Sequence, residues 1–246
     1  IEGEPPILIV GPNGQLPETP PKRVWLDRPG QQLDLGRLWT VEDLVVSVEV
    51  GRQEVRRDPT LKGANRETLP ELLAERARKL VADRLDVLAG VLRSDTPKVQ
   101  RLRLFGAPYL PIQQGARTTL DLEVSGWSGT STIRELEVEG IKLTQVPWHA
   151  LASLERLAYP NVPVEAWAHL AVVEHLATRG TREACSQVPN LERTRELRLR
   201  RCSDLDALPP VCELLEVQFD LDAVIAAEVD RSRTESHPRT TEARDA

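Results

Sequence analysis

Residues 133–157 read IRELEVEGIKLTQVPWHALASLERL and contain one structural unit together with the start of the next. Around Leu136 and Val138, apolar residues alternate with glutamates, which is typical of a strand with one buried face. A second apolar run reaches Leu157, 21 residues after Leu136. A unit that recurs at this distance predicts a repeat architecture, in which each unit packs on its neighbours.

The same spacing recurs from residue 99 onward as a first position, usually apolar, followed by apolar residues three and five positions later. The occurrences are Val99-Leu102-Leu104, Thr119-Leu122-Val124, Ile133-Leu136-Val138, Leu154-Leu157-Tyr159, Val173-Leu176-Thr178, Thr194-Leu197-Leu199 and Cys212-Leu215-Val217. Their third positions are separated by 20, 14, 21, 19, 21 and 18 residues. Only the 14-residue step is too short for a full unit.

These units resemble leucine-rich repeats over about residues 98–228. Leu136 and Val138 stand at the strand leucines of that family, and Ile141 stands at the position where the family usually has Asn or Cys. Residues 194–209 resemble the repeat again, with Cys202 at that position. The resemblance implies an α/β solenoid whose parallel strands form a concave sheet, and it implies a role in protein recognition.

The repeats are irregular at the Asn/Cys position, which normally carries a ladder of asparagines. Here it holds Ala107, Trp127, Ile141, Val162, Thr181, Cys202 and Asp220. Because buried backbone groups need hydrogen-bond partners, we expect other groups to satisfy the buried backbone of the turns.

The first 97 residues are predicted to form a mixed α/β region that precedes the solenoid. In residues 1–67, short apolar runs at 7–10, 24–26 and 44–50 predict strands, and the first two are separated by a loop rich in Pro and Gly. Residues 68–97 predict a helix over 69–92 that begins at Thr68, with Glu71 completing a capping box. We expect this helix to cap the first repeat, because the ends of a solenoid need cover.

The candidate binding residues lie between and beside the strand leucines, because side chains alternate across a strand. They are Arg101, Arg103, Phe105, Asp121, Glu123, Glu135, Glu137, Glu139, Arg156, His175, Arg179, Arg198 and Arg200. Five carboxylates are expected on two adjacent strands, followed by a mostly basic zone. The hypothesis is a partner protein with a basic patch over residues 121–139 and an acidic patch over residues 179–201. An ordinary solvated strand face is the alternative.

Composition narrows the classes of partner and compartment. The net charge is -6, so the basic excess of a general nucleic-acid or anionic-membrane binder is absent. Three cysteines without paired spacing favour a reducing compartment, and we expect a cytoplasmic protein. The polar residues 229–246 are predicted to be a disordered tail. The chain begins at Ile1 and contains no Met, so we expect its natural N-terminus to lie upstream.

The sequence contains no complete motif for catalysis, metal binding or cofactor binding. Residues 11–14 read GPNG after a strand-like run, but the Gly-Lys-Ser/Thr of a phosphate-binding loop does not follow. Residues 126–129, GWSG, lack the spacing of a nucleophile elbow. No compact ligand spacing joins His149, His169, His175, Cys185 and Cys202. We therefore expect no catalysis, no metal and no cofactor.

The leading hypothesis is a scaffold for protein–protein interaction. One alternative is the sensor portion of a larger enzyme or signalling protein whose effector module lies upstream, and the full reading frame would reveal that module. A second alternative is a surface adhesion repeat protein, which an upstream signal peptide or paired cysteines in terminal caps would favour.

Overall fold

The computed structural model describes residues 6–57, 61, 65, 67–94, 98–106, 120–202, 210 and 212–219. Its dominant element is a nine-stranded sheet in which every pair of neighbours is parallel. The predicted tail at 229–246 lies outside the described residues, as do the repeat positions Ala107, Thr119 and Asp220.

The strands of the main sheet follow one another in chain order. Two further strands, which flank the fifth strand of this sheet in the chain, belong to a second sheet. Its strands are β1 (Ile7–Val10), β2 (Arg23–Asp27), β3 (Asp43–Ser47), β4 (Arg101–Phe105), β6 (Glu135–Glu139), β8 (Arg156–Ala158), β9 (His175–Arg179), β10 (Glu196–Cys202) and β11 (Leu214–Phe219). A second, two-stranded parallel sheet consists of β5 (Leu120–Glu123) and β7 (Ile141–Thr144). The sheet is not closed, so β1 and β11 are its two edges.

Helices lie in the connections between the strands. Most of them are short, and one is long. The α-helices are α1 (Arg52–Arg56), α2 (Leu69–Arg93) and α3 (Arg182–Gln187). Short 3-10 helices occupy Leu35–Thr40, Thr130–Thr132, Trp148–Ala150, Val164–Val172 and Val188–Asn190. Among the described residues, no helix combines the length and apolar character needed to cross a bilayer.

The strand register stacks the repeating apolar residues into columns. One column consists of Leu8, Val24, Leu44, Leu102, Leu136, Leu157, Leu176, Leu197 and Leu215. In a second column Leu104 is paired with Val138, and Leu199 is paired with Val217. Most of these side chains are buried in one core, so the predicted parallel sheet is confirmed. Burial of each such side chain contributes about 1.5–3 kcal/mol relative to exposure.

The N-terminal segment continues the same sheet, because β1, β2 and β3 pair in order and β3 pairs with β4. The predicted strands at 7–10, 24–26 and 44–50 are therefore present, with small differences at their ends. Sequence reasoning placed them in a separate mixed region. Their apolar positions Val10, Leu26 and Val46 are 16 and 20 residues apart, which is close to the spacing of the later units. The long connection with α1 and α2 interrupts that spacing before β4.

The predicted helix is present as α2 and begins after Thr68 as expected, but the capping hydrogen bond and the place of the helix in the fold differ from expectation. Thr68 makes no capping hydrogen bond with its side chain. Instead, Asn65 Oδ1 accepts hydrogen bonds from the backbone N–H groups of Glu67 at 3.0 Å and Thr68 at 2.8 Å. The helix lies in the connection between two internal strands, β3 and β4, and buries Leu88 and Leu92 in the main core. Contrary to the prediction, it does not lie at an end of the sheet.

The 14-residue step in the repeat has a structural cause, because β5 does not join the main sheet. Strand β4 pairs directly with β6, and β5 pairs with β7, the strand that follows β6. The chain reaches β7 through Gly140, which has a φ of 71°. A Cβ on Gly140 would lie 1.5 Å from the carbonyl oxygen of Gly106, so only glycine fits there. Leu122 and Leu143 nevertheless point into the same core as the main sheet.

Side-chain oxygens satisfy backbone groups between neighbouring units. The buried Tyr159 hydroxyl accepts a hydrogen bond from the N–H of Leu143 at 2.8 Å. The hydroxyl of Thr194, also buried, donates to the carbonyl oxygen of Val173 at 2.8 Å. These bonds join one unit to the next, and they give buried backbone groups the hydrogen-bond partners that a ladder of asparagines would otherwise supply.

Candidate binding face

The exposed side of the main sheet carries the side chains that alternate with the core residues, and we call it the binding face. The register arranges them in columns across neighbouring strands, about 4.8 Å apart. The first column consists of Ile7, Arg23, Asp43, Arg101, Glu135, Arg156, His175, Glu196 and Leu214. The second consists of Ile9, Trp25, Val45, Arg103, Glu137, Ala158, Ala177, Arg198 and Glu216.

One end of the binding face is organised by Asp43, whose side chain is only 8% exposed. Its carboxylate accepts hydrogen bonds from Arg23 Nε at 3.2 Å, Arg101 Nη1 at 3.3 Å and Arg103 Nη2 at 3.0 Å. Arg101 also donates to both carboxylate oxygens of Glu135, at 2.8 and 3.2 Å. The hydrogen bond and charge of Glu135 raise the pKa of Arg101, against the opposing effect of burial. These five residues, here called the Asp43 network, tie together β2, β3, β4 and β6.

The other end carries two separate contacts, one between a histidine and a glutamate and one between an arginine and a glutamate. His175 Nδ1 lies 3.1 Å from Glu196 Oε2, although the angles do not meet those of a hydrogen bond. Arg198 Nε lies 3.4 Å from Glu216 Oε2, and both of these side chains are largely exposed. The pairs connect β9 to β10 and β10 to β11, so this end is held by weaker and more solvated contacts than the Asp43 network.

Between the two ends lies a depression of about 280 Å³. Ala158 and Ala177 of the second column form its floor, and they are direct partners on adjacent strands. On either side of them in that column stand the longer side chains of Glu137 and Arg198. Because alanine ends at Cβ, two neighbouring alanines leave a hollow between longer side chains.

The structure brings most of the predicted binding residues together around this depression. Those that line it are Arg101, Arg103, Glu135, Glu137, Arg156, His175, Arg198 and Arg200. Phe105, Glu139 and Arg179 belong to strands of the same sheet but do not line the depression.

The predicted placement of Asp121 and Glu123 was wrong. Both lie on β5, which belongs to the second sheet, so they are not on a strand adjacent to Glu135. The spacing alone could not reveal this, because β5 has the same alternating burial as the strands of the main sheet. The expected cluster of five carboxylates therefore does not exist, and Glu135 is engaged by Arg101.

Sequence reasoning missed the part of the binding face that β1–β3 contribute. Besides Asp43 and Arg23, these strands add an apolar patch of Ile9, Trp25 and Val45 in the second column. Ile9 is 57% exposed and Trp25 is 37% exposed, whereas Val45 is buried. The near-regular spacing of Val10, Leu26 and Val46 was the signal that could have revealed them.

The charges that remain on the face are mainly basic. Within the described residues, Arg156, Arg179 and Arg200 form no ion pair, and Arg179 is the direct cross-strand partner of Arg200. Like charges opposite each other on adjacent strands destabilise the pair by a few tenths of a kcal/mol, to about 1 kcal/mol. An anionic group that binds between them would remove this repulsion.

Comparison with known proteins produced no match to a family model, to a curated protein or to a solved structure. Among the described residues, no group of three or more His, Cys, Asp or Glu side chains is arranged to hold a metal ion. The interpretation of the site therefore depends on its own geometry.

Proposed function

We propose that this chain is a leucine-rich-repeat solenoid that acts as a scaffold for protein–protein interaction, without catalysis. The observation that carries the proposal is the depression over Ala158 and Ala177, which lies at the centre of a face built from successive strands. Chain-order pairing and stacked leucines support the repeat assignment, because each unit then contacts only its neighbours.

The composition of the face fits a protein partner. A specific interface buries about 800 Å² on each side, and its energetic centre is enriched in Trp and Arg. The binding face offers Trp25 at one end and several arginines around the depression. The strands fix the backbone beneath these side chains, so little backbone conformational entropy would be lost when a partner binds.

The charges favour a partner that presents carboxylates. Arg179, the last residue of β9, and Arg200, two residues before the end of β10, form a doublet, and Arg156 is the first residue of β8. The acidic zone of the sequence hypothesis is reduced to Glu137 and Glu139, so a strongly basic partner is no longer favoured. We propose that a partner places acidic side chains at the arginine doublet and a compact apolar group in the alanine depression.

A binding role agrees better with this face than acid–base catalysis does. A general acid or base works in a cleft that shifts its pKa and leaves it free to reach a substrate. Here Asp43, Glu135 and Glu216 are engaged by arginines on an open sheet. We also propose a cytoplasmic location, for which the sparse and odd number of cysteines is the support.

The test is affinity capture with matched variants, in which each bait is the full chain. Ala158→Arg and Ala177→Arg fill the depression, and Ala152→Arg adds the same charge at an exposed turn position outside it. We expect partner proteins to be retained by the native chain and by Ala152→Arg, and lost at least tenfold from the two filled variants. Equal recovery with all four baits would refute the proposed site.

A further inference from the structure

Cys185 and Cys202 come close to each other beside the binding face. Cys185 lies in α3 and is partly exposed, whereas Cys202 ends β10 and is fully buried. Their Sγ atoms are 3.4 Å apart, although 17 residues separate them in the chain. The third cysteine, Cys212, hydrogen-bonds instead to the carbonyl oxygen of Leu214.

The backbone around the two cysteines enforces this approach. The N–H of Gly180 donates to the carbonyl oxygen of Arg200 at 2.8 Å, so the turn from β9 to α3 is held against the end of β10. A Cβ on Gly180 would lie 2.6 Å from the Cβ of Cys202, which means that only glycine permits the contact.

Local irregularity in β10 turns Cys202 inward. The pairing with β11 shifts between Arg200 and Cys202, and Arg201 has a φ of 57°. Two successive exposed arginines are therefore followed by a buried cysteine. At the other end of the contact, the Thr181 hydroxyl caps α3 by accepting a hydrogen bond from the N–H of Ala184 at 3.1 Å. Both sulfurs are thus positioned by the backbone.

We propose that Cys185 and Cys202 form a reversible intramolecular disulfide by exchange with a small-molecule disulfide such as oxidised glutathione. The partly exposed Cys185 thiolate attacks the oxidant, which forms a mixed disulfide and releases one thiolate. The Cys202 thiolate then attacks Sγ of Cys185 and expels the second thiolate. Two protein thiols are oxidised, one glutathione disulfide is reduced to two thiols, and the two protons pass to those products.

The movement required is small. The two sulfur atoms must approach from 3.4 Å to about 2.05 Å for the bond to form. The bond would tie α3 to the end of β10, next to Arg200 of the binding face. This proposal depends on the thiol geometry alone and is independent of the proposed partner binding.

The experiment uses the full chain, first reduced with dithiothreitol and then incubated with oxidised glutathione under native conditions. We expect a product that has lost two hydrogens and carries no glutathione, with peptide mapping that links residues 185 and 202. Dithiothreitol should reverse the link, and the oxidised chain should melt about 5–10 °C higher than the reduced chain.

Single variants separate the steps of the exchange. Cys202→Ser should keep a glutathione adduct on Cys185 that is not resolved, and Cys212→Ser should form the internal link as the native chain does. A persistent adduct on the native chain, a link that involves Cys212, no reaction, or a link that dithiothreitol reduces only after unfolding would each overturn the proposal.

Discussion

The clearest test of how the binding face is held together is the substitution Asp43→Asn. Asparagine preserves the shape of the side chain and one acceptor oxygen, but it removes the charge that three arginines share. The loss of one member of a buried ion pair costs about 3–5 kcal/mol, because the other charge stays uncompensated. Here Arg101 is 45% exposed and keeps Glu135, so the full penalty does not apply to it. We expect a loss of about 2 kcal/mol in the free energy of unfolding.

The measurement is urea unfolding of the purified chain, with the free energy taken from the midpoint and slope of the transition. Glu216→Gln is the matched control, since it removes a carboxylate from a pair whose side chains are 52% and 67% exposed. Exposed pairs contribute about 0–1 kcal/mol, so the control should change little. About 1 M salt should change the effect of Asp43→Asn little, because the Asp43 side chain is only 8% exposed and salt screens buried pairs much less than exposed ones. Equal effects of the two substitutions would refute the central role assigned to Asp43.

Three further predictions concern buried groups and backbone conformation. Burial tends to raise the pKa of Glu54, but the hydrogen bond and charge of the buried Arg84 prevail and lower it. That stability is present above the unfolded pKa of about 4.5 and is lost as the pH falls through the folded value, so Glu54→Gln should flatten the acid limb of a stability–pH profile. Tyr159→Phe should cost about 1–3 kcal/mol in urea unfolding, because a buried N–H of β7 loses its acceptor. Burial also raises the pKa of Tyr159, so the native chain should lose stability above about pH 10, and the variant should lose less of it. Gly140→Ala should prevent native folding as judged by circular dichroism, whereas Gly126→Ala, with a similar φ of 75° and no atom within 4 Å of an added Cβ, should cost only about 1–2 kcal/mol.

Much of the sheet could be predicted because burial alternates along most of its strands from β4 onward. The pattern at Leu102, Leu136, Leu157, Leu176 and Leu197 reports a buried column directly, and those residues are neighbours across the sheet. The same alternation predicted the binding residues on these strands, since their side chains point to the opposite face of the sheet.

The remainder depends on contacts that are distant in the chain. Burial alternates around Leu122 as it does around Leu136, yet the strand of Leu122 pairs with β7. This pairing requires the close backbone contact between Gly140 and Gly106. Asp43 precedes Arg101 by 58 residues, so spacing could not reveal their ion pair. Thr68 is a good capping residue by type and does precede the helix, but its side chain makes no capping hydrogen bond, and its own N–H donates to Asn65 Oδ1.

The order of the strands also bears on how the chain is assembled during synthesis. Each strand of the main sheet pairs with one that has already been made, so ribosomal synthesis from β1 onward can extend the sheet at its growing edge. The exception is β5, whose partner β7 is synthesised only after β6 has been added. A pause in translation between residues 124 and 140 would therefore leave the backbone edge of β5 without its pairing strand.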